Sequence, residues 1–282
     1  MAVKFIIDSA SDVLPWEAQA LGVTHLPMTV SFGEETYRDA VDISHRDFFE
    51  KLAASKELPT TSQIPPVVFE ETYEKLVAEG YEVVAITISS KLSGTYQSAV
   101  IAAQGYSGRV FVVDSLSAAV GERVLLQRGL EMAKQGLSAE QIAKGLDEEK
   151  LRLRLVAVID TLEYLKKGGR ISATAAIAGG LLGIKPAIDI QNGEVVMAGT
   201  ARGTGKCQSL LKELIQKYGG IDFEKPFAAV YSGKDDTLLR SFIDASGELW
   251  QDYTLPVCSL GCAIGTHVGP GAYGIAFFEK EK

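Results

Sequence analysis

Hydrophobic and polar positions over the first 160 residues switch repeatedly between a strand-like and a helix-like period. Residues 3–7 form a short apolar run that ends at Asp8 and reads as a buried strand. Residues 15–21 read as a short helix, and the β-branched, mixed run 23–32 as another strand. Ser44-x-x-Asp47 opens a helical stretch over 48–54 in the manner of a capping box. Pro65-Pro66 starts a helix over 67–78, because proline is tolerated in a first helical turn. The same alternation predicts a strand at 82–88, a helix at 95–103, a strand at 109–113 and a long helix at 118–134. Ser138-x-x-Gln141 caps the next helix, and 153–159 reads as a buried strand. Strands separated by helices of this length need crossover connections, which predicts a mainly parallel sheet rather than an α+β mixture.

After Thr161 the texture changes. Asn192-Gly193 between two apolar runs, 186–190 and 194–198, is the strongest short hairpin signal available. Residues 207–217 and 237–245 read as helices, and 227–231, 253–260 and 273–278 as strands. Hairpin-linked strands argue for a more antiparallel sheet with helices. The predicted architecture is therefore α/β in two domains, 1–160 and 161–282, with no internal repeat and a shared site between them.

Composition narrows the function classes. The 282 residues are 46% hydrophobic, ordinary for a folded chain, and 28 Lys+Arg against 36 Asp+Glu give a net charge of −8. That balance makes nucleic acid an unlikely partner in the sense that no general positive potential is available for phosphates. The N-terminus reads as a first strand and not as a signal peptide. The longest apolar stretch, 173–184, falls short of the roughly 18 residues a transmembrane helix needs, so no transmembrane segment is expected, while transient membrane contact stays open. Three cysteines, Cys207, Cys258 and Cys262, do not make a disulfide framework and suit a reducing cytoplasm. No second Cys/His pair completes a metal shell, so neither metal nor cofactor is expected.

Candidate chemistry gathers at strand ends. Asp8-Ser9-Ala10-Ser11-Asp12, Ser89 to Thr95, and Asp114-Ser115 all follow predicted strands. In an open parallel sheet, ligands sit beyond the carboxyl ends of the strands. Thr60-Thr61-Ser62-Gln63 precedes a helix start, where free N–H groups favour anions. Any one of these reads more simply as a cap; four on one edge point to an anion or polar ligand. Ser93-Gly94-Thr95 is the sharpest, since glycine lets backbone approach a ligand and no cation lies within it, which suits a single carboxylate. Gly265-Thr266-His267-Val268-Gly269-Pro270-Gly271 reads as a shaped loop presenting His267, able to donate to an anion. His25 and His45 read as structural or surface residues.

Two motifs fail. Residues 200–207 imitate a P-loop, but Thr200 replaces the first glycine and Cys207 the magnesium-binding hydroxyl. No Gly-x-Ser-x-Gly elbow is present, so an ordinary α/β-hydrolase nucleophile is unsupported. A basic cluster remains, Lys166, Lys167, Arg170, Lys185, Arg202 and Lys206, which reads either as a solvated face or as a docking face for an acidic partner or phosphate.

Together these segments resemble the DegV family of bacterial fatty-acid-binding proteins, the lipid-carrying subunits of fatty acid kinase. The resemblance spans essentially the whole chain. It rests on Phe5-Ile6-Ile7-Asp8-Ser9, Thr61-Ser62-Gln63, Ile88-Ser89-Ser90 running to Leu92-Ser93-Gly94-Thr95-Tyr96-Gln97-Ser98-Ala99, Val113-Asp114-Ser115, Leu165 to Ser172, Lys185-Pro186, and Ile264 to Gly271. It implies two α/β domains holding a long-chain fatty acid between them. The carboxylate would meet Thr61, Ser93 and His267, supported by Ser62, Gly94, Thr95 and Thr266, with the tail in an apolar tunnel for which residues 171–182 are a candidate wall. A separate ATP-binding kinase subunit would phosphorylate the carboxyl to an acyl phosphate for phospholipid synthesis, with Arg170 and Arg202 on the partner or phosphate face. The chain itself would then be a carrier and not an enzyme. Alternatives are an acyl hydrolase or transferase using Ser93 and His267, and a lipid-dependent regulatory protein. In one departure from the family pattern, Ile64 intervenes between Gln63 and the following proline.

Overall fold

The computed structural model describes residues 2–171, 183–250 and 253–281. In chain order it runs β1 (Val3–Asp8), α1 (Pro15–Leu21), β2 (Thr24–Leu26), β3 (Thr29–Phe32), β4 (Glu35–Arg38), α2 (His45–Ala54), β5 (Thr60–Ser62), α3 (Pro66–Ala78) and β6 (Glu82–Thr87). Next come α4 (Thr95–Ala103), β7 (Val110–Asp114), α5 (Val120–Lys134), α6 (Ala139–Glu149), β8 (Leu153–Val158) and α7 (Glu163–Lys167). The remainder is β9 (Ile184–Gln191), β10 (Glu194–Arg202), α8 (Thr204–Lys217), β11 (Phe227–Tyr231), α9 (Thr237–Asp244), α10 (Gly247–Trp250), β12 (Val257–Ser259), α11 (Cys262–Val268) and β13 (Tyr273–Phe278).

The fold is α/β. One sheet, in the order β2-β1-β6-β7, is parallel throughout. Its strands are near-continuous apolar runs because helices cover both faces. Phe5, Ile7, Val84 and Ile86 meet Leu125, Leu126 and Ile142 of α5 and α6 on one side. Ile6, Val83 and Ala85 meet Phe69, Tyr73 and Ala99 of α3 and α4 on the other.

The second sheet, β10-β9-β8-β13-β11-β12, is antiparallel apart from the β11–β12 pair. Its inner face sends Ala228, Val230, Ala276 and Phe278 into the core that α5 shares with the parallel sheet. Its outer face packs Val156, Ile275 and Phe277 on Leu211, Leu239 and Phe242 of α8 and α9. So α5 is sandwiched between two sheets, and the space beyond its first turn lies between them. A small third sheet, β4-β3-β5, carries α2 on its apolar side.

Three elements differ from expectation. The single strand predicted over 23–32 is two strands in different sheets, because Pro27 lacks an N–H and Met28 N–H is taken by Ser9 Oγ at 3.0 Å. The strand before residue 160, predicted with the parallel sheet, pairs antiparallel with β9 and β13 instead. And His267 is carried by a helix, α11, instead of a loop. Of the tunnel wall expected at 171–182, only Ile171 falls within the described residues, and it is buried.

Caps behave as the sequence implies. Ser138 and Gln141 form a reciprocal capping box. Ser44 Oγ accepts from Asp47 N–H at 3.1 Å and donates to that residue's carboxylate at 2.7 Å. Ser44→Ala should lower unfolding free energy by about 1 kcal/mol in urea melts; an unchanged midpoint would show that α2 is held by packing alone.

Candidate functional site

A cavity of about 380 Å³ lies between the carboxyl end of the parallel sheet and the inner face of the second sheet. The size falls in the range of about 300–1,000 Å³ usual for small-molecule sites. Its walls are mostly apolar: Ile88, Leu92 and Ala118 from the first sheet's loops, Leu155, Ala157, Ile188 and Val230 from the second sheet, and Ile264 of α11. Small residues make the room. Ala157 stands opposite Gly274 across the β8–β13 ladder, so two neighbouring positions present almost no side chain.

Polar groups meet at one end. Thr61, on edge strand β5, and His267, in the last turn of α11, are joined by a 3.0 Å contact between Oγ1 and Nε2. Ser62, Gln63, Ser93, Gly94 and Arg170 line the same cavity. The Gln63 amide lies over Gly94, where a Cβ would sit 1.9 Å from its Oε1. Arg170 is turned inward by its own hydrogen bonds, donating to Leu92 O at 3.1 Å and Gly168 O at 2.6 Å. Its charge therefore stands at the cavity wall without a carboxylate partner among the described residues.

Two of the residues predicted to support the site lie behind it. Thr95 is fully buried; its hydroxyl is 3.0 Å from Ser93 Oγ and accepts from Ile64 N–H at 3.4 Å. The inserted Ile64 is itself a core residue, so the departure at this position anchors the loop instead of disturbing it. Thr266 donates back to Cys262 O at 2.9 Å within α11 and does not face the cavity. Arg202 is exposed at the end of β10, away from the cavity lining. The Asp8 cluster is structural: its carboxyl takes the N–H groups of Ala10 and Ile88, both at 2.9 Å, and ties two strand ends together.

His267 is neutral in this site. Burial, helped by the nearby Arg170 charge, lowers its pKa to about 4. Nδ1 is buried without a partner and packs on Gly168, where any Cβ would stand 2.1 Å from it. Ser93 bonds Thr95 and not the imidazole, and among the described residues no carboxylate orients the ring, so these residues do not assemble a nucleophile–base pair. The sequence signal for α11 was the apolar spacing of Ala263, Ile264 and Val268 followed by Gly269 at φ +74°; the glycine density around His267 masks it.

Among the described residues no group of three or more His, Cys, Asp or Glu converges on a metal position. The cysteines are free, and burial pushes the Cys258 thiol up to about 12. No described helix is long and apolar enough to cross a membrane.

A family model described as an uncharacterised protein of the DegV family matches residues 2–280. A DegV domain-containing protein of Caldanaerobacter subterraneus is 36% identical over 99% of both chains, and one of Deinococcus radiodurans 35% over 98%. Among solved structures, a fatty-acid-binding DegV family protein from Thermus thermophilus superposes with a TM-score of 0.88 at 33% identity, covering 99% of this chain and 100% of its own. A stearic-acid-binding protein from Eubacterium ventriosum gives 0.86 at 28% identity, covering 99% and 98%.

Proposed function

The chain belongs to the DegV family, and from that premise we propose that it binds one long-chain fatty acid between its two halves, 1–160 and 161–282. The observation that carries the reading is a mostly apolar cavity in whose wall the Thr61 and Ser93 hydroxyls, the His267 imidazole and the Arg170 guanidinium stand together. Thr61 and Ser93 bond the carboxylate, and His267 completes the head-group site from behind Thr61. With its proton on Nε2, His267 donates to Thr61, which frees the Thr61 hydroxyl proton for the ligand. Arg170 supplies the long-range positive potential.

Magnitudes divide the labour. Ten buried methylenes contribute about 8 kcal/mol at about 0.8 kcal/mol each. A hydroxyl bound to a buried carboxylate contributes about 1–3 kcal/mol. The tail therefore sets affinity and the polar end sets orientation. Thr61→Ala and Ser93→Ala should each weaken palmitate binding by about 1–3 kcal/mol by fluorescence competition; unchanged affinity in both would move the carboxylate elsewhere.

The bound carboxyl is presented to a separate ATP-binding kinase subunit, which converts it to an acyl phosphate for phospholipid synthesis. Exposed Arg202, with Lys206 beside it, and Arg170 at the cavity wall supply the partner or phosphate face. The protein is a carrier in the cytoplasm and makes no acyl phosphate from ATP alone. A hydrolase reading needs Ser93 activated by His267, and the imidazole is bonded to Thr61 instead. Native mass spectrometry after mild purification tests the whole reading. A co-purified mass in the fatty-acid range is expected; delipidated protein that binds no long-chain acid would sink it.

A further inference from the structure

We propose that Asp39 is a positioning residue for the carboxylate site, its buried side chain fixing the helix that presents His267. The inference rests on the fatty-acid reading above and adds a residue that lies outside the cavity lining.

By sequence, α11 belongs to the second half of the chain, yet residues from the first half hold its amino end. Asp39 Oδ1 accepts from Cys262 N–H and Oδ2 from Ala263 N–H, both at 3.0 Å. Asp12 Oδ1 accepts from Gly261 N–H at 2.7 Å. Three successive N–H groups that a helix start leaves without intrahelical partners are thus met by the side-chain carboxyl groups of two aspartates. Both acids are 1% exposed or less, so these bonds are made away from competing water. Asp39 is itself pinned, its N–H donating to Met28 O at 2.9 Å.

The packing leaves no slack. A Cβ on Gly261 would meet Asp12 Oδ1, His45 Nε2 and Asp39 Oδ2 at 3.1–3.3 Å. One on Gly265 would press on Phe48 and Phe49 at 2.8 and 2.9 Å. Backbone bonds from Gly265 N–H to Gly261 O at 2.7 Å and from Gly269 N–H to Gly265 O at 2.8 Å make the helix a rigid two-turn rod. At a helix radius of about 5–6 Å with side chains, a rotation of about 10° moves a side-chain tip by about 1 Å. That is enough to break a hydrogen bond. Holding the amino end therefore sets where the imidazole at the other end meets Thr61.

Asp39→Asn keeps the shape but turns one acceptor into an N–H₂ group facing a backbone N–H. Palmitate affinity is measured for the full chain, for Asp39→Asn, for His267→Ala and for the double variant, where all share the wild-type circular dichroism spectrum. Asp39→Asn should weaken binding at least about tenfold, and the loss should vanish once His267 is already alanine. Should Asp39→Asn not fold, Gly261→Ala replaces it with the same expectation. Leu211→Ala, in the outer core, should lower stability and leave affinity unchanged. Unaltered affinity, an equal loss with and without His267, or an equal loss in Leu211→Ala would overturn the proposal. Wild-type protein that binds no palmitate would instead overturn the site reading beneath it.

Discussion

Ala157→Phe is expected to weaken binding of palmitic and stearic acid about a hundredfold and to leave decanoic acid nearly untouched. Ala157 lines the cavity from β8 with a single methyl group, so the space beyond that methyl is the cavity's own. A phenylalanine ring in that space excludes the part of the acyl chain that would lie there. Three or four methylenes left in water cost about 3 kcal/mol at about 0.8 kcal/mol each, which is the hundredfold loss. The polar end is unchanged, so an acid short enough to stop before the ring keeps its contacts. Isothermal titration over a series of chain lengths checks this, with urea unfolding of the variant to confirm the fold. A uniform loss at every length would mean that the substitution disturbs the head-group site, and equal affinities throughout would take the tail out of this cavity.

That the tail and head can be tested apart follows from how the site is assembled, and the assembly was only partly legible in the sequence. Helices 15–21 and 95–103 were readable residue for residue, since proline at a first turn in one and a glycine just ahead of the first turn in the other act locally. Thr61, Ser93 and His267 were visible because each sits in a run of hydroxyls or glycines that core packing does not call for. The choice of partner for β8 was not visible: its apolar pattern fits the centre of either sheet, and tertiary pairing decides. Pro27 lies inside the single strand read over 23–32, and the break between β2 and β3 emerges only with the Ser9 hydroxyl on Met28 N–H. Asp39 carried no signal at all. An acid between a short strand and a helix reads as surface, and only the fold brings it to helix α11, 223 positions away at Cys262.

Buried acids make the second large prediction: stability should fall as pH rises above about 6.5, and Glu122→Gln should flatten that fall. Burial raises Asp8 from 3.8 to about 7, so the folded chain keeps a proton that the unfolded chain loses at lower pH. Stability from such a group is complete below 3.8 and is lost as pH rises to about 7. At about 1.4 kcal/mol per pH unit and proton, Asp8 accounts for about 4 kcal/mol, nearly all of it lost before pH 6.5, so the fall above 6.5 comes chiefly from Asp12 and Glu122. Burial raises Asp12 and Glu122 further in the same direction, and neither carboxylate oxygen of Glu122 has a partner. Histidines act the other way. Burial lowers His267 from 6.5 to about 4, and His25 and His45 also shift down, so their contribution is lost as pH falls below 6.5. The two effects oppose each other in acid. Above 6.5 the histidines are neutral in both states, and only the acids remain. Glutamine at 122 keeps the shape of the side chain and never ionises, so the variant should lose less stability than the wild type as pH rises above about 6.5. Its slope should be shallower by up to about 1.4 kcal/mol per pH unit. Urea unfolding across that interval decides the matter, because parallel slopes would mean that Glu122 is ionised in the folded chain, paired with a cation or water that its burial now conceals.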